Sequence, residues 1–150
     1  MLHQDLRRLS LATSGEGFTD LTAALNREIA ASGRQRGMAH LLVLHTSCSL
    51  TINENADPRV LADLAAYLRA LVPPEGVRPI SGLGGLRAYA HDDEGPDDMP
   101  AHIRTALTST SLSLSFDRAR LVLGTWQAVY LWEHRARPQR RALSLHLIGE

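Results

Sequence analysis

The stretch Arg120-Leu121-Val122-Leu123-Gly124-Thr125-Trp126-Gln127-Ala128-Val129-Tyr130-Leu131-Trp132-Glu133 decides the reading of the fold. A period of two places Leu121, Leu123, Thr125, Gln127, Val129, Leu131 and Glu133 on one face, so residues 120–133 read as a strand. Gly124-Thr125 interrupts it and marks a bulge or a close backbone approach that changes the parity beyond. Thr125, Gln127 and Glu133 sit on an otherwise aliphatic face. A buried polar group costs free energy unless it is paired, so these three either face a polar cavity or belong to a hydrogen-bond network.

Working outward, residues 111–116 read as a strand joined to 120–133 by the turn Asp117-Arg118-Ala119, and residues 140–148 as the last strand. Residues 3–13 alternate and read as the first strand, followed by a turn at Ser14-Gly15-Glu16-Gly17. From Asp20 the pattern is helical, with Leu21, Ala24, Leu25, Glu28 and Ile29 on the 3.6 period and Gly33 as the stop. Residues 39–46 are apolar at both parities, which predicts a strand covered on both faces. Asp57 can cap a second helix with Pro58 at its first position, where no N–H is needed. Its stripe runs through Val60, Leu61, Leu64, Ala65, Leu68 and Leu71, and Pro73-Pro74 ends it. Residues 75–97 are a long loop without periodicity. Asp97 or Asp98 starts a third helix that runs to about Thr108. There is no repeating βα unit. The expected fold is α+β, a mostly antiparallel β-sandwich with about three helices, in one domain over residues 1–150.

Apolar residues make up 44% and charged residues 21%, the formal charge is zero, and all sixteen cationic side chains are Arg. Balanced charge gives no electrostatic footprint for nucleic acid or for an anionic membrane. No apolar run approaches the ~20 residues of a membrane span. The first residues show no basic leader followed by an apolar stretch. The single cysteine, Cys48, excludes an internal disulfide and fits a cytoplasmic protein, and it reads as a small buried apolar residue.

The chemistry concentrates in His91-Asp92-Asp93-Glu94-Gly95-Pro96-Asp97-Asp98-Met99-Pro100-Ala101-His102. Two histidines bracket an acidic, turn-forming run, and His102 falls on the first turn of a helix. A third histidine, His45, closes the apolar run Leu41-Leu42-Val43-Leu44. Imidazole is the commonest metal-ligating side chain, and three histidines with an open position form a catalytic metal site. The alternative is three unrelated histidines. The other four, His3, His40, His134 and His146, read as surface or strand-face residues. Asn53-Glu54-Asn55-Ala56-Asp57 forms a polar cluster between a strand and a helix, a common place for site residues. Asp57 has a ready explanation as a cap; Asn53 and Glu54 do not. Ser81-Gly82-Leu83-Gly84-Gly85 lacks the Lys of a phosphate loop and reads as a mobile loop.

His45-Thr46-Ser47, Asn53 to Pro58, His91 with Asp97 to Arg104, Leu123-Gly124-Thr125-Trp126-Gln127 with Glu133, and the closing Leu147-Ile148-Gly149 together resemble the YjbQ family, also described as secondary thiamine-phosphate synthases. The resemblance covers nearly the whole chain. It implies a homotrimer and a histidine-rich pocket with His45, His91 and His102 as metal ligands. Glu54, Asp57, Gln127 and Glu133 would be catalytic, and Asn53, Asp98, Arg104, Thr125 and Trp126 would contact substrate. Arg104, two residues after His102, is the candidate phosphate contact. Asp98 and Arg104 stand where relatives commonly carry Asn and Lys, a change of hydrogen-bond capacity and reach. The implied reaction joins a pyrimidine methyl diphosphate to a thiazole phosphate with release of pyrophosphate. The implied cofactor is a divalent metal, zinc by preference, with magnesium as the choice for a diphosphate substrate. A three-histidine site suits zinc and activated water better than magnesium. A zinc-dependent hydrolase or lyase with Glu54 or Glu133 as general base therefore stands as an alternative, as does a non-catalytic ligand-binding trimer.

Overall fold

The computed structural model describes residues 1–150. Its elements are β1 (His3–Ala12), β2 (Gly17–Asp20), α1 (Thr22–Ala31), β3 (Arg36–Val43), β4 (Cys48–Glu54), α2 (Pro58–Leu71), α3 (Asp98–Leu107), β5 (Ser111–Asp117), β6 (Arg120–Leu121), β7 (Gln127–Glu133) and β8 (Arg140–Gly149). They build a five-stranded sheet in the order β1-β8-β3-β5-β6 and a three-stranded sheet in the order β2-β7-β4. All strand pairings are antiparallel. The α+β class with three helices agrees with the sequence.

The core lies between the two sheets. Leu41, Val43, Phe116, Leu143, Leu145 and Leu147 from the larger sheet meet Cys48, Leu50, Val129 and Leu131 from the smaller one, and α1 adds Leu25 and Ile29. Cys48 is fully buried among apolar side chains, as its type suggests. Helices α2 and α3 pack against β4. Asp57 caps α2 by accepting from the Arg59 N–H at 3.0 Å. No helix is long and apolar enough to cross a membrane.

Three expectations change. Residues 120–133 are two strands in different sheets. Leu121 pairs with Phe116 in the larger sheet, whereas Gln127–Glu133 pair with β4 and β2 in the smaller. The chain crosses between the layers at the Gly124-Thr125 interruption, where the Gln127 N–H closes a turn onto the Gly124 carbonyl at 3.1 Å. Beyond it, β7 is the central strand of the smaller sheet and is buried at both parities from Ala128 to Glu133, so alternation fails there. The predicted turn at 14–17 ends on a strand, β2, which the periodicity of so few residues does not reveal. Residues 39–46 are not covered on both faces. Ala39, Leu41 and Val43 are buried, but Met38 and His40 are exposed because no layer packs on the outer face of the larger sheet. That strand ends at Val43, so His45 lies in the following connection.

The turn between β5 and β6 places Arg118 and Ala119 at φ of 52° and 57°. Two consecutive left-handed residues are what a type I′ hairpin needs to match strand twist.

Candidate metal centre

The Asp98–His102 spacing of four residues puts both side chains on one face of α3, at its N-terminal turn. Asp98 also gains there from the positive end of the helix dipole. Before the helix, Gly95 at φ 99° turns the chain so that His91 and Glu94 return over that face. One oxygen of Asp98, Oδ2, lies 2.7 Å from His91 Nε2 and 3.2 Å from His102 Nε2. Glu94 Oε2 is 3.1 Å from His91 Nε2. The ligand atoms of His91, Glu94, Asp98 and His102 all lie within 4.8 Å of one another. Asp98 is the floor of the cluster at 4% side-chain exposure, and Glu94 is the rim at 61%.

The donor set fits a divalent cation. His102 Nδ1 lies 3.0 Å from the Thr46 carbonyl, which can only accept, so this nitrogen carries the proton. In the neutral ring the lone pair is then on Nε2 and faces a carboxylate oxygen. Two lone pairs at that separation repel unless a proton or a cation lies between them. A ring whose outer N–H is held by a backbone carbonyl is also the usual orientation of a metal-ligating histidine. The hydrogen bond to Asp98 raises the His91 pKa above its ordinary value, against the opposing effect of burial. Burial works to raise the Asp98 carboxyl and is outweighed by the bond to His91 and the charges of Arg135 and His102, which hold it below the carboxylate range.

The remaining candidates fall elsewhere. His45 is outside the cluster; its Nε2 accepts from the Ala142 N–H at 2.8 Å, and burial pushes its pKa down. Only its neighbour Thr46 reaches the cluster. Arg104 turns into the interior. It is 7% exposed and donates to the Val72 carbonyl at 3.1 Å, with Glu16 3.7 Å away, because its position on α3 faces inward. Glu133 is buried at 1%, paired with Arg141, and accepts from Thr13 Oγ1 at 2.8 Å. His134, expected at the surface or on a strand face, is equally buried against Trp132, with Ser49 Oγ 2.8 Å from Nε2.

Asn53, Glu54, Asp57, Thr125, Trp126 and Gln127 cluster at the other end of the β4–β7 ladder. Glu54 pairs with Gln127 there, whereas Cys48 pairs with Glu133 at the near end. Seven paired residues separate the ends by about 20 Å. The loop is tied by Asn55 Nδ2, which donates to the Thr125 and Gln127 carbonyls at 3.0 and 3.2 Å. Within one chain this polar patch does not meet the histidine cluster.

Two residues of the centre escaped the sequence reading. Glu94 lies three positions after His91 inside the acidic run and could have been found by that spacing. Arg135 donates to Asp98 Oδ1 at 2.5 Å across 37 positions, and no local pattern announces it.

The family model described as UPF0047 protein YjbQ-like matches residues 7–150. The UPF0047 protein sll1880 of Synechocystis is 45% identical over 148 residues, covering 99% of this chain and 92% of that protein. The UPF0047 protein YjbQ of Escherichia coli O157:H7 is 38% identical and covers 96% of this chain and 97% of its own length. Among solved structures, the conserved hypothetical protein TT1486 of Thermus thermophilus superposes with a TM-score of 0.76 at 35% identity. It covers 94% of this chain and 98% of that one. A YbjQ-like protein of Sulfolobus solfataricus shares the fold at 18% identity, with a TM-score of 0.79.

Proposed function

The chain belongs to the YjbQ-like UPF0047 family, and from that premise we propose that it is a divalent-metal-dependent enzyme acting on a small phosphorylated molecule, with thiamine-phosphate synthesis as the reaction its family resemblance implies. The observation that carries the proposal is the convergence of two imidazoles and two carboxylates within 4.8 Å, with one imidazole already oriented by the Thr46 carbonyl.

His91, His102 and Asp98 would hold the cation, with zinc favoured by the nitrogen donors. A cation bound there supplies charge stabilisation to a departing diphosphate or phosphoryl oxygen. Glu94, the most exposed member, is placed to act as a fourth ligand or to accept a proton from a nucleophile at the rim. The two imidazoles favour a second reading, hydrolysis, in which a zinc ion held by His91, His102 and Asp98 would supply an activated water. Retention of a ligand without turnover is a third. We take the assembly as a homotrimer, in line with the resemblance. An interface between subunits could then join the distant Trp126–Gln127 patch to a neighbour's cluster.

Metal content and product analysis test these readings together. Stoichiometric zinc in the purified protein and thiamine phosphate formed only with both substrates present support the transferase. Phosphate or pyrophosphate released from a single substrate selects the hydrolase. Ligand-dependent thermal stabilisation without turnover selects the binding protein. Absence of stoichiometric divalent metal, with Zn²⁺ giving no stabilisation, refutes the metal centre.

A further inference from the structure

We infer that Arg135 is the positioning residue of this cluster, fixing three of its four ligands through one guanidinium; the inference rests on the metal-centre reading. Arg135 follows β7 and is 22% exposed at its side chain. Its Nη1 donates to Asp98 Oδ1 at 2.5 Å, its Nε to Asp97 Oδ2 at 3.0 Å, and its Nη2 to the Glu94 carbonyl at 3.0 Å. Each contact sets a different part of the geometry. The first occupies one oxygen of Asp98 and leaves Oδ2, the one facing both imidazoles, for a cation, so Asp98 binds through a single oxygen. The second holds the residue before α3, whose carboxylate also accepts from the Ala136 N–H at 2.8 Å, and so fixes the helix end that carries Asp98 and His102. The third pins the loop that brings Glu94 over the helix.

The guanidinium is itself anchored. The Arg135 N–H donates to Glu133 Oε2 at 3.2 Å, and Glu133 is locked by Arg141 and Thr13 in the interior. Glu133 thus reaches the centre through the Arg135 backbone without touching a ligand. A planar fork with five donors can serve three acceptors at once, whereas a lysine ammonium on a flexible stem cannot hold the same three in fixed directions.

Charge and position oppose each other here, which makes the inference decidable. A guanidinium next to a cation site repels the cation. If Arg135 acted by charge alone, its removal would tighten metal binding; if it acts by position, removal weakens it.

The test is Co²⁺ binding by calorimetry and visible absorption, whose intensity reports coordination number, with melting temperature measured alongside. Arg135→Gln is expected to weaken Co²⁺ binding about 10- to 100-fold, the usual effect of losing a partner that orients a ligand. The absorption should change as Asp98 becomes free to bind through both oxygens. Arg135→Lys should recover part of the affinity. Arg137→Gln removes the same charge from the same connection and should leave affinity equal or tighter. Asp97→Ala removes the acceptor of one arm of the fork without touching a ligand, and should weaken binding in the same direction by less; it decides the matter if Arg135→Gln does not fold. Wild-type affinity and spectrum in Arg135→Gln, or in both Arg135→Lys and Asp97→Ala, would overturn the positioning role while leaving the metal centre intact. A wild-type protein that takes up no Co²⁺ removes the metal centre, and the role of Arg135 with it.

Discussion

Glu133→Gln should cost this protein about 3–5 kcal/mol, the usual penalty for breaking a buried ion pair from one side. The carboxylate is 1% exposed and accepts from Arg141 Nε and Thr13 Oγ1, each at 2.8 Å, and from the His134 and Arg135 N–H groups at 3.1 and 3.2 Å. An amide of the same size turns one acceptor into a donor that faces donors, and leaves the Arg141 guanidinium, 4% exposed, without its counter-charge. Domains hold about 5–15 kcal/mol in all, so the loss should lower the melting temperature by about 10 °C or more. Urea unfolding at pH 7 measures it. Its pH dependence supplies a signature. Burial raises the Glu133 carboxyl, but the bonds from Arg141 and Thr13 outweigh it and bring the folded value below the unfolded one. The stabilisation is therefore complete above the ordinary glutamate pKa of about 4.3 and disappears as pH falls through the lower folded value. Wild type should lose this contribution in acid, and Glu133→Gln should show no such loss. A paired Glu133→Leu/Arg141→Met variant should recover part of the stability, since it removes the unpaired guanidinium but still leaves Thr13 Oγ1 and the Arg135 N–H without the carboxylate. A cost below about 1 kcal/mol for the single variant, the size of an ordinary hydrogen bond, would refute the reasoning.

Burial, aided by the nearby charge of Arg104, pushes the His134 pKa down to about 4, so the unfolded chain binds the proton first. Stability should fall as pH drops from 6.5 towards 4, by up to about 3 kcal/mol, and His134→Gln should flatten that slope in urea midpoints taken across the range. Saturating Zn²⁺ at about a hundred times its dissociation constant should stabilise the fold by about 2.7 kcal/mol, and scanning calorimetry should find no such effect in His102→Ala. Gly37→Ala should destabilise by at least about 1–3 kcal/mol in urea unfolding, since a Cβ there would overlap the Ile148 carbonyl oxygen and lie 2.8 Å from the Phe116 ring. Asp57→Ala should lower the melting temperature through loss of its helix cap yet leave Zn²⁺ affinity unchanged by calorimetry; a fall in affinity would tie Asp57 to the metal site.

The helices were legible because their signals are local. Asp57-Pro58 and Pro73-Pro74 punctuate α2, and the acidic residues before Pro100 mark the start of α3. That His91 and His102 come together was legible for the same reason, since an acidic, glycine-containing run folds one back onto the other. His45 shows the limit. Its sequence neighbours an apolar strand, but strand β3 ends before it, and its ring nitrogen is taken by a backbone N–H 97 positions away. Arg104 shows the same limit on a helix. Two residues after His102, it falls on the opposite side of α3, and that this side meets the interior depends on the sheet beneath.

By itself the sequence determined the three helices, the outer strands β1 and β8, the antiparallel α+β class and the two histidines with their acidic loop. Hydrophobic periodicity, capping and turn chemistry act within a few residues and are written in order along the chain. Tertiary structure alone decided which sheet each strand joins, that the single run 120–133 divides between two layers, and that Arg135 closes on Asp98. Those outcomes depend on contacts between residues tens of positions apart, where the free energy of a pairing is set by what else is packed there, and no local pattern carries that information.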